Sequence, residues 1–357
     1  MTNNSNILIN GVPLKGDNGN TIKVAASNAS IISKSVANYV CDGTSDDVEI
    51  QTAINSLDAS NGGIVQLSEG TFNISAKITI TNANVTLIGS GGGVSTTRAN
   101  SVLSQINNAN LDYIVYSTGY NCKFIRFIIY GNQDNNTTTI GISTVGNSIN
   151  AVFQDINVYK MPSHGFLISS NGYAIGCYSE LNVDMGWRFI GTENFVCFRC
   201  NGQGNGNSGF YMNYTSKYIS LVGCMIDSNG ATSTRDGVYI QDTYFNTVQG
   251  CFIQSNSRHG IILNGGGHHN ISNNMILDSG ILADNTYSAI LMQDSIHNII
   301  HGNTIALDRQ ALNPNYGVEE TGTSDYNNVG SNDISGCQTA QLALIGANTL
   351  NVNNILT

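Results

Sequence analysis

Charge is what this sequence has least of. Asp, Glu, Lys and Arg make up only 11% of its 357 residues, under half the share in an average globular chain. Fourteen basic residues stand against 24 acidic ones, a formal net charge of −10. A nucleic-acid partner needs a basic footprint, and that balance excludes it. An acidic glycan stays open, because a local arginine cluster can act within an acidic protein. No apolar run reaches the roughly 18 residues of a membrane-spanning helix. The opening Met1-Thr2-Asn3-Asn4-Ser5-Asn6 has no basic segment leading into an apolar one. Synthesis in the cytoplasm without a secretory signal is therefore expected. In that compartment the eight Cys read as reduced thiols. Low charge and 39 Gly resemble a disordered composition, but Ile, Val, Leu, Phe and Tyr recur throughout, so a core can be buried.

What is present is a repeat. A turn, a Gly and an alternating apolar strand return at Gly141-Ile142, Gly165-Phe166, Gly186-Trp187, Gly209-Phe210, Gly237-Val238, Gly260-Ile261, Ala289-Ile290 and Gly317-Val318, spaced 24, 21, 23, 28, 23, 29 and 28 residues apart. A second strand follows an Asn turn, as in Asn246-Thr247-Val248 and Asn298-Ile299-Ile300. A third reads Cys224-Met225-Ile226, Cys251-Phe252-Ile253 and Asn274-Met275-Ile276. Short strands with a period of two and Asn or Gly corners describe one coil of a parallel β-helix. A leucine-rich repeat would carry its Leu consensus, and a propeller blade about 40 or more residues. The expected fold is all-β: a right-handed parallel β-helix, a single-stranded solenoid of about ten coils stacked about 4.8 Å apart. Cys177, Cys200, Cys224 and Cys251, continued by Asn274, Asn303 and Asn332, read as one internal ladder rather than a metal site, since a lone Cys197-x-x-Cys200 lacks a second pair.

The N-terminal part differs in kind. Ser45 is placed to cap a helix whose positive end Asp46 and Asp47 favour, and Val48, Ile50, Ala53, Ile54 and Leu57 form its apolar face. An open solenoid end needs such a cap. The run from Cys41-Asp42-Gly43 through Asp46-Asp47 to Ile54, with Gly62-Gly63-Ile64-Val65 and Glu69-Gly70-Thr71-Phe72, resembles the entry to the pectate-lyase-like β-helix superfamily. That group includes polygalacturonase-like hydrolases, polysaccharide lyases, epimerases and bacteriophage tailspikes. The resemblance implies a β-helix domain over 36–357 behind a neck or attachment segment at 1–35, which carries Gly16-Asp17-Asn18-Gly19-Asn20. It also implies that Asp42, Asp46 and Asp47 are structural. A tailspike-type chain would act outside the cell as part of a virion tail, attached through its N-terminus and assembled as a homotrimer. The strand-like C-terminal segments leave a sheet edge for another chain to cover. The superfamily's calcium-binding acid cluster and its Gly-His-Gly and Arg-x-Lys motifs have no counterpart here. His164-Gly165 and Arg258-His259-Gly260 read instead as turns before the repeat Gly. No cofactor and no metal is expected, with Ca2+ entering only if the chain is a lyase.

Strand alternation selects the outward residues. One column reads Leu167, Arg188, Tyr211, Tyr239, Ile262, Leu291 and Glu319; the next reads Ser169, Ile190, Asn213, Gln241, Asn264, Gln293 and Thr321. Aromatic faces stack on sugar rings and amides bond hydroxyls, so Tyr211, Tyr239, Gln241, Asn264 and Gln293 are candidate glycan contacts. Arg188, Arg235 and Arg258 would pair with anionic sugar groups. Longer loops at 227–236, 278–288 and 307–316 bring Asp227, Arg235, Asp236, Asp278, Asp284, Asp308 and Arg309. Asp242 and Asp294 share a column two coils apart, roughly 9–10 Å, near the carboxyl spacing of an inverting glycosidase. They are the expected catalytic pair, with Asp236 and Glu319 as alternates. His269 and His297 are expected to share a column that serves as an exposed turn ladder. The expected function is cleavage of a cell-surface polysaccharide by hydrolysis, as a tailspike-type depolymerase. A non-catalytic receptor-binding or structural spike and a pectate-lyase-type lyase are the alternatives.

Overall fold

The computed structural model describes residues 8–9, 12–13, 20–91, 100–146, 150–213, 215–230, 235–281, 286–307 and 314–357. Among them, 11, 14 and 12 strands form three parallel sheets. Each coil contributes one strand to each sheet, as Phe210–Asn213, Lys217–Val222 and Met225–Asp227 do in mid-molecule. The molecule is a right-handed parallel β-helix. The strands are short because a coil turns a corner every few residues. Many corners hold a non-glycine residue in the left-handed region, as at Asn84, Asp155, Ser228 and Asp242. Asn and Asp tolerate that region best among such residues.

Inside, apolar residues of consecutive coils stack in files. Trp187 lies against Phe166 at 3.7 Å and Phe210 at 5.7 Å, both nearly parallel, and its indole N–H donates to the Asn201 carbonyl. Three files of buried polar side chains run beside this core. Asn182, Asn205, Asn229 and Asn256 form one. Asn246, His269, Asn298 and Asn327 form a second. Cys251, Asn274, Asn303, Asn332 and Asn354 form the third, continuing the cysteine ladder. In each, a side-chain acceptor takes the backbone N–H of the coil before it. These donors sit at corners, where no sheet partner is available, so the amides prevent orphaned buried N–H groups.

His269 therefore pairs with the asparagine file. It is His268 that stacks on His297, at 5.0 Å, within an exterior column that runs Tyr218, Phe245, His268, His297 and Tyr326. The expected His269–His297 pairing is one residue out of register, because the corner here takes a residue of left-handed φ at His268.

A helix at Asp47–Asn55 buries Ile50, Ala53 and Ile54 against the first coils. Its N-cap is Asp46 rather than Ser45. The Asp46 carboxylate accepts the N–H groups of Gly43 and Asn73, and Asp47 accepts that of Ser75. These bonds fasten the helix to the solenoid. The 14-stranded sheet already includes Thr21–Ala25, so the solenoid begins inside the segment assigned to a neck. Leu8–Ile9 and Val12–Pro13 pair antiparallel outside it, and residues 16–19 lie outside the described residues. At the other end, the three sheets finish on Ala340–Ala343, Leu350–Val352 and Ile355–Leu356. No helix among the described residues is long and apolar enough to cross a membrane.

Candidate functional site

The strand registers place Leu167, Arg188, Tyr211, Tyr239, Ile262, Leu291 and Glu319 in one file on the 11-stranded sheet. Beside it run Ile190, Asn213, Gln241, Asn264, Gln293 and Thr321. The two files are cross-linked. Tyr211 Oη donates to Gln241 Oε1 at 2.5 Å, and Asn264 Nδ2 donates to Tyr239 Oη at 2.9 Å. The rings of Tyr211 and Tyr239 lie 5.2 Å apart. Tyr211 is only 8% exposed, which leaves Tyr239 as the more accessible ring.

Asp242 and Asp294 stand at the end of these strands, each exposed and each with positive φ. Asp294 Oδ1 accepts the N–H and hydroxyl of Thr323. A Cβ on Gly265 would fall 2.3 Å from Asp242 Oδ1, and one on Gly322 would fall 2.1 Å from Asp294 Oδ1. Both carboxylates thus fold over a glycine of the next coil and shape the turn.

The opposite edge of the same sheet carries a different file. The residues just before the repeat Gly are His164, Met185, Ser208, Asp236, His259, Ser288 and Tyr316, one per coil. Asp236 Oδ1 accepts the backbone N–H of His259 at 3.1 Å, and His259 Nδ1 accepts that of Ser288 at 3.0 Å. The same Nδ1 also lies 3.1 Å from the Ser288 carbonyl. Ser288 Oγ donates to Glu319 Oε2. Tyr287 packs edge-on against His259, and the Arg258 guanidinium lies over the Tyr287 ring, 5.2 Å from its centroid. Arg258 Nε stands 3.8 Å from Asp236 Oδ1. Arg235 is half-buried beside this group, and its carbonyl accepts the N–H of Arg258.

Burial sets the protonation of the cluster. Asp236 is 1% exposed and its Oδ2 has no hydrogen-bond partner among the described residues. Desolvation raises its pKa to about 6, against the pull of Arg258. Desolvation lowers that of His259 to about 3, aided by Arg258. A carboxyl that keeps its proton close to neutral pH is a proton donor in waiting.

Three coils earlier, the same edge holds a second cluster. Arg188 Nη1 donates to His164 Nε2 at 2.9 Å, and His164 Nδ1 faces Asp184 Oδ2 at 3.4 Å. Burial lowers the His164 pKa to about 4, with Asp184 opposing. Of the loop acids, Asp227 is held by Gln203 and Ser228 and Asp278 is buried. Asp284, Asp308 and Arg309 lie outside the described residues. The file before the repeat Gly was missed as a chemical unit. Its signal in the sequence is the succession of Asp236, His259 and Ser288 at equivalent repeat positions.

Residues 145–355 match a family described as periplasmic copper-binding protein (NosD). The chain belongs to the NosD family. Comparison with curated proteins gives no match. Among solved structures, the chain is similar to the A-module of a mannuronan C-5 epimerase from Azotobacter vinelandii, with a TM-score of 0.70, 20% identity, and coverage of 86% of this chain and 95% of that one. It is similar to tailspike protein 2 of an Escherichia coli bacteriophage, with a TM-score of 0.65, 13% identity, and coverage of 83% and 43%. A third is a DFA-IIIase mutant from Arthrobacter chlorophenolicus, with a TM-score of 0.59, 10% identity, and coverage of 81% and 80%. At these identities the likeness is one of fold.

The donors of this NosD-family chain do not fit copper. Burial holds the thiols of Cys177, Cys200 and Cys224 protonated, whereas a ligating cysteine is a thiolate. His268 and His297 stack face to face, so their ring nitrogens do not converge on one ion. Among the described residues, Cys41, Asp46 and Glu49 do bring donor atoms together. Asp46, however, spends both oxygens on the Gly43 and Asn73 amides, beside a helix N-terminus that disfavours a cation.

Proposed function

We propose that this NosD-family chain cleaves a polysaccharide along the 11-stranded sheet by glycoside hydrolysis, with Asp236 as the acid and Glu319 as the base. The buried Asp236 carboxyl, whose pKa burial raises to about 6, carries this reading. It would protonate the leaving oxygen, while Glu319 would activate a water. Glu319 reaches the level of Ser288, two coils from Asp236, roughly 10 Å along the axis. That lies close to the carboxyl spacing of inverting enzymes, about 6.5–9.5 Å. Arg258 covers Asp236, so an entering chain displaces its guanidinium, which then pairs with an anionic sugar group. Tyr239, Asn264, Gln241 and Gln293 hold neighbouring sugars, and Arg188 the far end. Fold relatives named for mannuronan and for a phage tailspike support a polysaccharide substrate. A tailspike role with trimeric assembly and action outside the cell belongs to the same reading.

The test is incubation with mannuronan and a panel of bacterial surface polysaccharides. New reducing ends without an unsaturated product, lost in Asp236→Asn, are expected. An unsaturated product would make the chain a lyase, and C-5 inversion without cleavage an epimerase. Binding with none of these would make it a receptor-binding spike.

A further inference from the structure

Arg188 is the one cation in the outward file that runs from Leu167 to Glu319. It stands on the strand Trp187–Ile190, two coils before Asp236, roughly 10 Å along the axis. Its acceptor is an imidazole rather than a carboxylate: Nη1 lies 2.9 Å from His164 Nε2. A guanidinium only donates, so Nε2 accepts and the ring hydrogen sits on Nδ1. That side of the ring faces Asp184 Oδ2, 3.4 Å away. His164 is 5% exposed, and burial keeps its ring neutral at ordinary pH, against the pull of Asp184. The three residues come from two adjacent coils. The Ser163 carbonyl accepts the N–H of Asp184, and the Met185 carbonyl accepts that of Gly165. Backbone bonds on both sides of His164 thus fix the spacing.

We propose that His164 and Asp184 are positioning residues, which hold the Arg188 guanidinium over the sheet with its charge intact so that it reads a carboxylate on the glycan at this level. The inference rests on the polysaccharide reading above. A free arginine gives up rotamer entropy when a ligand fixes it. The bond to His164 removes that cost in advance. A carboxylate in place of the imidazole would order the arginine equally well but neutralise it. The imidazole orders it and leaves the positive charge for the ligand. Asp184 fixes the tautomer that makes Nε2 the acceptor, and the ring stands between it and the guanidinium bond. One guanidinium N–H bonds His164, and the planar oxygen pair of a carboxylate matches the fork formed by others.

Calorimetric titration of the full chain with a mannuronate hexamer, and with the neutral mannose hexamer of the same linkage, tests this. The parent should bind the charged hexamer more tightly by about tenfold or more. Arg188→Met and His164→Leu should each remove most of that preference and leave the neutral hexamer within about twofold of the parent. His164→Gln keeps a neutral acceptor of similar reach and should keep the preference. A purely structural His164 would weaken both hexamers alike. Far-ultraviolet dichroism verifies the fold of each variant. No preference for the charged hexamer in the parent overturns the proposal. So does a preference that survives both Arg188→Met and His164→Leu. Asp236→Asn should lose cleavage and keep the charge preference. Cleavage that needs Asp236 in a chain without the preference would sink this inference alone, and a preference that needs Arg188 in a chain without cleavage would sink only the hydrolase reading.

Discussion

The carboxylate of Asp236 accepts the backbone N–H of His259 across one coil, at 3.1 Å. The same spot in the next coil is His259 accepting from Ser288. Stacking in register thus brings residues 23 and 29 positions apart into one chain of contacts that ends at Glu319. The chain has both a structural and a chemical use, and pH separates them.

Asp236 has a folded pKa of about 6 against an ordinary 3.8. A raised carboxyl pKa means that the stabilising form is the protonated one. That contribution is complete below pH 3.8 and is lost as pH rises through about 6. The shift corresponds to roughly 3 kcal/mol. Asp236→Asn should match the parent's stability near pH 4 and exceed it by an amount of this order at pH 8, read by urea unfolding at each pH. A variant that is less stable at pH 8 would contradict the buried charge.

Turnover on the identified polysaccharide should fall by about a hundredfold or more in Asp236→Asn and in Glu319→Gln. Asp242→Asn and Asp294→Asn should stay within a few fold of the parent, because those side chains shape turns. Initial-rate assays of the four variants decide between the two carboxyl pairs.

His269 stands where other coils have Asn, and burial lowers its pKa to about 3. A depressed histidine pKa contributes stability above about pH 6.5 that is lost as pH falls toward 3. His269→Asn would restore an unbroken amide file of Asn246, Asn298 and Asn327. The variant should lose less stability than the parent between pH 6.5 and 4, measured by thermal unfolding.

Asn229 accepts from the backbone and side chain of Asn205 and donates to the carbonyl of Gly202. Asn229→Ala removes the acceptor of the buried Asn205 N–H and the donor to the Gly202 carbonyl, while Asn205 Nδ2 keeps the Ser179 carbonyl. A loss of at least about 2 kcal/mol is expected, since each orphan costs about 1–3 kcal/mol. Chemical denaturation followed by Trp187 emission gives the value.

All eight cysteines are free, and seven are buried. Burial raises the pKa of Cys337, the half-buried one, to about 11. An aromatic disulfide reagent should find almost no fast-reacting thiol in the native protein and eight after denaturation in guanidinium. A fast native thiol would show that the ladder opens.

The amino-acid sequence by itself determined the solenoid. Strand alternation and the repeat Gly set which side chains face in, and the backbone can satisfy that pattern only by stacking coils. It also determined both outward files from Arg188 to Glu319, since a side-chain period of two leaves no freedom within a strand. Corners were less legible. His268 and Phe245 adopt left-handed φ where Asn or Gly would announce it, so the exterior ring column shifted by one residue from expectation. Ser45 also gave up the cap position to Asp46, whose carboxylate joins amides of two separate segments rather than the helix's own N–H groups. Only the tertiary structure decided the protonation of Asp236. Its neighbours Arg258, His259 and Ser288 come from later coils, and desolvation depends on what those coils place over it.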